Sequence, residues 1–111
     1  MRKALVILFL SCAGAFAASP EARLHAISAI AESIELADQC PGWEENPILT
    51  SVILEVGGIR TDDAYRRDLA DFRKSFRSLA QKLGREESCK KVMGDLGPDG
   101  MLFKNLIRTK P

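Results

Sequence analysis

Two cysteines, Cys40 and Cys89, constrain the fold of this chain more than any other feature. The third cysteine, Cys12, lies in an N-terminal segment with the pattern of a secretion signal, and removal of that segment leaves an even number. An even count in an exported chain of fewer than about 100 residues predicts a disulfide. The bridge would close a loop of about 50 residues and stabilise the fold by about 4 kcal/mol through lost chain entropy. A catalytic thiol or a metal site is the alternative, but neither cysteine belongs to a C-x-x-C motif.

The first 17 residues have the three parts of a secretory signal peptide. A basic tip, Arg2-Lys3, precedes an apolar run over residues 4–10, and Ala15-Phe16-Ala17 supplies the small residues of a cleavage site. The apolar run is shorter than the roughly 20 residues that cross a membrane. We therefore expect cleavage after Ala17, a single helical domain over residues 18–111 without a transmembrane segment, and a periplasmic or secreted location.

Composition and charge describe a soluble globular chain with an uneven charge distribution. The 111 residues are 46% hydrophobic and 28% charged, with a formal net charge of +1, a balance that disfavours a nucleic-acid binder. Residues 18–59 contain seven acids and one base, whereas residues 60–111 contain thirteen bases and eight acids. This asymmetry predicts oriented association with a charged partner.

The first predicted helix begins at Ser19-Pro20-Glu21, which offers a capping hydroxyl, a proline at the first helical position and an early acid. It should end near Gln39-Cys40, because Pro41 and Gly42 follow. Its spacing predicts one apolar side and one polar side. The apolar side comprises Leu24, Ile27, Ile30, Ala31, Ile34 and Ala37, and the polar side comprises Glu21, Ser28, Glu32 and Glu35.

Residues 47–56 have an ambiguous pattern. Leu49, Val52, Ile53 and Val56 have helical spacing, but the segment is rich in β-branched residues and would also fit one face of a strand. Its boundaries, Asn46-Pro47 and Gly57-Gly58, favour a buried helix.

The clearest helix begins at Thr61-Asp62-Asp63 and ends at Gly84. A short helix carrying Cys89 should follow, then a turn at Gly97-Pro98-Asp99-Gly100 and a helical tail that packs back as a lid. The apolar positions are Tyr65, Leu69, Phe72, Phe76, Leu79 and Leu83 in the long helix, Val92, Met93 and Leu96 in the short one, and Leu102, Phe103, Leu106 and Ile107 in the tail. No other segment reads as a strand. The sequence thus predicts an all-α fold, a small bundle of four to five helices with one disulfide.

A basic arc on the long helix is the leading candidate for a binding site. Its members occupy neighbouring positions over about a third of the helix circumference. Such an arc could bind an acidic envelope protein, an anionic glycan or a lipid headgroup. The alternative is a solvated face with weak local pairs, such as Asp62 with Arg66. The arc comprises Arg66, Arg67, Arg73, Lys74 and Arg77.

Catalytic and metal-binding patterns are sparse. The sequence has one histidine, His25, on the polar side of the first helix, and it has neither a nucleophile motif nor a glycine-rich phosphate loop. We expect no enzyme activity, no cofactor and no metal site. A functional pair of carboxyl groups stays open, because fifteen acids offer many pairings.

The C-terminal pattern C-x7-G-P-x-G-x5-L-[LI]-[RK] begins at Cys89 and runs through Gly97-Pro98-Asp99-Gly100 to Leu106-Ile107-Arg108. It resembles a group of small exported α-proteobacterial proteins with two cysteines and no assigned activity. The resemblance implies a periplasmic address and a Cys40–Cys89 bridge, and it carries over no functional residue. The overall layout is also similar to that of small periplasmic acid-stress chaperones.

These observations predict a non-enzymatic protein that binds another component of the cell envelope through the basic arc. The alternative is an acid- or stress-responsive chaperone, because protonation of fifteen acids would leave the chain strongly cationic and loosen its packing. Catalysis by a pair of carboxyl groups is a third hypothesis.

Overall fold

The computed structural model describes residues 19–111; the predicted signal peptide, its cleavage site after Ala17 and Cys12 lie outside this range. The described part is mostly helical with a small two-stranded sheet. In chain order the elements are helix α1 (Pro20–Leu36), a 3₁₀ turn (Ala37–Gln39), strand β1 (Trp43–Glu45), helix α2 (Pro47–Val56), helix α3 (Asp63–Leu96) and strand β2 (Ile107–Thr109).

Helix α1 begins and ends where its sequence predicts. The Ser19 hydroxyl accepts a hydrogen bond from the backbone N–H of Ala22 at 3.1 Å, and Pro20 occupies the first helical position. The 3₁₀ turn then tightens the end of the helix before Pro41. This start satisfies a backbone donor that an uncapped helix would leave free.

Helix α2 confirms the helical interpretation of residues 47–56, but it is not the buried helix that was predicted. The Asn46 side chain accepts a hydrogen bond from the backbone N–H of Leu49 at 3.2 Å and so starts the helix. Its inner face packs through half-buried Leu49 and Ile53. Val52 and Val56, which were expected in the core, are exposed because α2 lies at the surface of the domain.

Helix α3 is divided by Gly84, as its sequence predicts. Gly84 has φ +82° and ψ 171°, a combination that only glycine adopts without strain. The helix therefore consists of a first arm, residues 63–83, and a second arm, residues 85–96. Asp62 caps the first arm by accepting a hydrogen bond from the Tyr65 backbone N–H at 3.0 Å.

The two arms run in opposite directions along α1. Asp68 of the first arm pairs with Arg23 near the start of α1, and Arg77 pairs with Glu35 near its end, so the first arm is parallel to α1. The second arm begins at the end of α1, where Cys89 is bonded to Cys40. It then returns along α1 in the antiparallel direction. A straight helix of 34 residues would extend about 51 Å at 1.5 Å per residue and could not make both sets of contacts.

The core forms where both arms meet α1. In its C-terminal half α1 is buried on several sides, because the first arm, the second arm and the C-terminal segment surround it. The fully buried large apolar side chains are Ile27, Ile30 and Leu36 of α1, Val92 and Leu96 of the second arm, and Leu106 and Ile107 of the C-terminal segment.

The predicted helical tail is wrong, and so is the expectation that no further segment forms a strand. Residues 101–106 form turns, and β2 pairs antiparallel with β1 in the register Trp43–Thr109, Glu44–Arg108 and Glu45–Ile107. Asn105 has φ +64°, which breaks a helix. The described residues thus contain three α-helices, one of them divided, rather than four or five, and the fold is helical with a small sheet rather than all-α.

The predicted disulfide between Cys40 and Cys89 is present. Cys40 is buried in the main apolar cluster, against which Cys89 and Trp43 pack. The turn at residues 97–100 is confirmed by a hydrogen bond from the Gly100 backbone N–H to the Gly97 carbonyl at 2.9 Å. Among residues 19–111, no helix is both long and apolar enough to cross a membrane.

Candidate functional site

The basic arc of the first arm is divided into an inner and an outer part. Arg73 Nε donates to Glu35 Oε2 at 2.6 Å, and Arg77 Nη2 reaches the same oxygen at 3.2 Å. Both arginines therefore hold α1 and the first arm together. They are less available to a partner than the sequence implied.

The outer part of the arc faces solvent. Arg66 pairs locally with Asp63 at 2.6 Å and donates to the Thr61 carbonyl. Arg67 and Lys74 are exposed, and neither forms an ion pair within residues 19–111. These two are the members of the arc best placed to meet an external anion.

Glu35 is an ionised carboxylate at the edge of the α1–first arm contact. Its side chain is 11% exposed. Burial would raise the pKa of Glu35, but the hydrogen bonds and positive charges of Arg77 and Arg73 outweigh it and hold the pKa below its ordinary value of 4.5. The carboxylate is thus stable as a charge because two guanidinium groups surround it.

Part of the charge asymmetry in the sequence is balanced by ion pairs inside the fold. The acidic first half supplies Glu35 to the arginines of the first arm and Glu44 to Arg108, whose Nε lies 2.8 Å from the Glu44 Oε2 atom across the sheet. Each contact joins an acid before residue 60 to a base after it. The charge asymmetry therefore helps to assemble the domain. From the sequence alone, this role could not be distinguished from recognition of a charged partner.

A second carboxyl cluster, which sequence reasoning missed, lies between α1 and the second arm. Glu32 was expected on the polar side of α1 but is only 2% exposed, because the second arm folds back over it. Its carboxyl group lies beside that of Asp95, close enough for a hydrogen bond when one of the two is protonated, and its Oε2 atom has no hydrogen-bond partner among the described residues. Burial, followed by the hydrogen bond to Asp95 and the Asp95 charge, raises the pKa of Glu32 to about 8.

Asp95 and Lys91 complete this cluster. Lys91 Nζ donates to Asp95 Oδ2 at 2.9 Å. Although burial opposes ionisation, hydrogen bonds from Glu32 and Lys91 lower the pKa of Asp95, and the bond to Asp95 raises the pKa of Lys91. At neutral pH the cluster therefore contains a protonated Glu32, an ionised Asp95 and a charged Lys91, with no net charge.

A pair of carboxyl groups with separated pKa values is the arrangement that acid–base catalysis uses. Catalysis also needs contact with a substrate, and Glu32 is enclosed between two helices. This closed arrangement can hold a proton, because burial and the neighbouring Asp95 favour the neutral form of Glu32.

His25 lies on the exposed side of α1, beside a shallow surface depression lined by Glu21, Leu24, Ser28 and Phe72. Glu32, which the sequence placed on the same face, is buried instead. Within residues 19–111, no three side chains among His, Cys, Asp and Glu come close enough to hold a metal ion together.

Helix α2 presents an apolar stripe to solvent. Ile48, Val52 and Val56 follow one another at intervals of four residues and are 68%, 45% and 64% exposed. Single exposed apolar residues are ordinary, but three aligned on one helix form a continuous surface. The helical spacing was visible in the sequence, whereas the outward direction of the stripe depends on how α2 packs.

Comparison with known proteins finds no family model that matches this chain and no similar curated protein or solved structure.

Proposed function

We propose that this protein is exported and binds an acidic component of the cell envelope without catalysing a reaction, and that Arg67 and Lys74 are the centre of its contact surface. The observation that carries this proposal is their exposure on the first arm without an ion-pair partner in the described part of the chain. An exposed guanidinium and an exposed ammonium two turns apart on one helix face favour a carboxylate or phosphate partner.

Two further features support the proposed location and mode of action. The N-terminal segment has the pattern of a secretion signal, and a disulfide such as Cys40–Cys89 persists in an oxidising compartment. The inner arginines, Arg73 and Arg77, would position the first arm on α1 rather than contact the partner, because both bind Glu35.

The test is quantitative capture from a native envelope extract with the oxidised protein and a double variant, Arg67→Gln with Lys74→Gln. We expect the double variant to lose at least tenfold in capture, since each charge-assisted contact contributes on the order of 1–3 kcal/mol. Binding by the wild type should also weaken as salt is added.

The matched control is Lys82→Gln with Arg85→Gln, which removes the same charge from two exposed residues at the far end of the first arm and the start of the second. This control should be captured as well as the wild type. Equal capture of all three proteins would refute the assignment of the surface, and equal loss in both variants would indicate unspecific attraction.

A second candidate is an acid-responsive chaperone, favoured by the apolar stripe on α2 and by the role of Glu35. Protonation of Glu35 would remove the charge that Arg73 and Arg77 bind, and this would weaken the contact between α1 and the first arm. The loosened domain would add new apolar surface to the Ile48–Val52–Val56 stripe. Suppression of client aggregation at about pH 3, below the ordinary carboxyl pKa values, tests this function, and a fold that stays native there contradicts it.

A further inference from the structure

We propose that the end of the second arm, residues 90–96, is a proton-dependent latch. A proton held between the carboxyl groups of Glu32 and Asp95 keeps this segment packed on α1, and loss of the proton releases it. The latch is independent of the proposed binding surface, because it uses a different arm of α3.

The geometry makes the proton necessary for the closed state. Glu32 is 2% exposed, and its Oε2 atom lacks a hydrogen-bond donor among the described residues. A protonated Glu32 donates its hydrogen to Asp95. An ionised Glu32 would instead place a second negative charge beside the Asp95 carboxylate, in a site with little water.

The charged groups around Glu32 allow only one of the two carboxyl groups to ionise easily. From the second arm, Asp95 and Lys91 act on Glu32, and the single positive charge of Lys91 already pairs with Asp95 at 2.9 Å. On α1 the next acid is Glu35, which faces the first arm and is bound there by Arg73 and Arg77. On β2, Arg108 pairs with Glu44 of β1. Lys91, the base that acts on Glu32 among the described residues, is thus already paired with Asp95.

The connections of the second arm define which segment can move. The Cys40–Cys89 bridge fixes the arm to the end of α1 and acts as the pivot. Beyond the bridge, Val92 and Leu96 are fully buried against α1, and Leu96 accepts a hydrogen bond from Leu106 at 3.0 Å. Release of residues 90–96 would therefore expose apolar surface while the bridge and the first arm stay in place.

The titration range of Glu32 agrees with this assignment. Burial and the hydrogen bond to Asp95 raise the pKa of Glu32 to about 8. The folded pKa lies above the unfolded value, so the closed state is most stable below about pH 4.5 and is weakened progressively until the pH reaches about 8.

Amide hydrogen exchange of the oxidised full chain, corrected for intrinsic exchange at each pH, tests the latch. In the wild type, protection of residues 90–96 should fall by about tenfold per pH unit between about pH 4.5 and about pH 8 and level off above that, because only the closed state holds the proton in this range. The first arm should keep its protection over the same range. In Glu32→Gln the amide can donate to Asp95 at every pH, so the fall should disappear.

Glu35→Gln is the matched control, because it makes the same change one helical turn away at a carboxylate with arginine partners. In this variant the protection of residues 90–96 should decrease with pH as it does in the wild type. The carboxyl carbon of Glu32, followed by NMR in the wild type, should titrate near pH 8, where the loss of protection levels off. An unchanged fall in Glu32→Gln, simultaneous loss of protection in both arms, or titration of Glu32 near 4.5 would each overturn the proposal.

Discussion

The two arms of α3 pack against the same helix, α1, by different physical means. The first arm lies parallel to α1, and ion pairs between Glu35 and the arginines Arg73 and Arg77 border the contact. The second arm lies antiparallel, is held by the Cys40–Cys89 bridge, and encloses Glu32. Glu32 and Glu35 are one turn apart, yet the pKa of Glu32 is raised and that of Glu35 is lowered.

This difference shows that the charge of a carboxyl group depends more on the groups that contact it than on the position of the residue along the helix. Both glutamates are partly or fully removed from water, which by itself favours the neutral form. Two guanidinium groups reverse that preference at Glu35, whereas another carboxyl group at Glu32 reinforces it. The same helix thus has one contact that is sensitive to acid and one that is sensitive to alkali.

Removal of the disulfide should have the largest effect, because it detaches the second arm and leaves the ion pairs of the first arm intact. The variant Cys40→Ser with Cys89→Ser should lose about 4 kcal/mol of unfolding free energy, the value for a loop of about 50 residues. Urea denaturation at neutral pH measures this loss.

Reduction of the wild type provides the control for the serine substitutions, since it opens the same loop without changing the sequence. Both proteins should be destabilised to a similar extent. A loss below about 1 kcal/mol in both would show that the second arm is held mainly by its apolar contacts.

The pH dependence of stability should separate the two glutamates. The raised pKa of Glu32 means that its stabilising contribution is complete below about pH 4.5 and is lost as the pH rises to about 8. The wild type should therefore lose about 3 kcal/mol between about pH 5 and about pH 8. Glu32→Gln should remove most of this loss, as measured by urea denaturation at each pH.

Glu35 should act in the opposite direction. Its folded pKa is below the unfolded value, so its contribution is present above about pH 4.5 and is lost as the pH falls. Glu35→Gln should cost about 1–2 kcal/mol at neutral pH, because two charge-assisted contacts are lost. It should also reduce the loss of unfolding free energy at acid pH, while the loss at alkaline pH stays as in the wild type. A common pH profile for both variants would contradict the comparison.

The local elements of the fold could be predicted because their signals are local. Ser19-Pro20 and Asn46-Pro47 start helices where the sequence indicates, and Gly84 ends the first arm. The disulfide followed from the even count of cysteines that remains once the predicted signal peptide is left out. In each case the residues that determine the feature are adjacent in sequence or few enough to leave one pairing.

The missed features depend on contacts between distant residues. β1 and β2 pair although more than 60 residues separate them in sequence. The C-terminal tail has helical spacing but forms a strand, because its backbone hydrogen-bonds to the edge of β1. Glu32 is buried by Asp95 and its neighbours, which reach α1 only because the chain reverses at Gly84 and is fixed at Cys89. Helical periodicity describes one helix and contains no information about a second arm that covers its polar side.

The chain reverses at Gly84, so adding one methyl group there, in Gly84→Ala, tests how the second arm is held against α1. An added Cβ at Gly84 would meet no atom within 4 Å, so the effect of Gly84→Ala comes from the backbone conformation alone. With φ +82° and ψ 171°, alanine should cost about 2 kcal/mol.

Gly94→Ala is the matched control, because its Cβ also meets nothing within 4 Å but its backbone is helical. That variant should gain about 0.5–1 kcal/mol from helix propensity. Thermal unfolding of the oxidised proteins should therefore shift in opposite directions. Alanine at position 84 also favours one uninterrupted helix, so the bridge has to oppose straightening more strongly than in the wild type. Reduction should therefore destabilise Gly84→Ala more than the wild type. Equal effects of reduction on both would show that the contacts of the second arm with α1, rather than the bridge, keep α3 folded back.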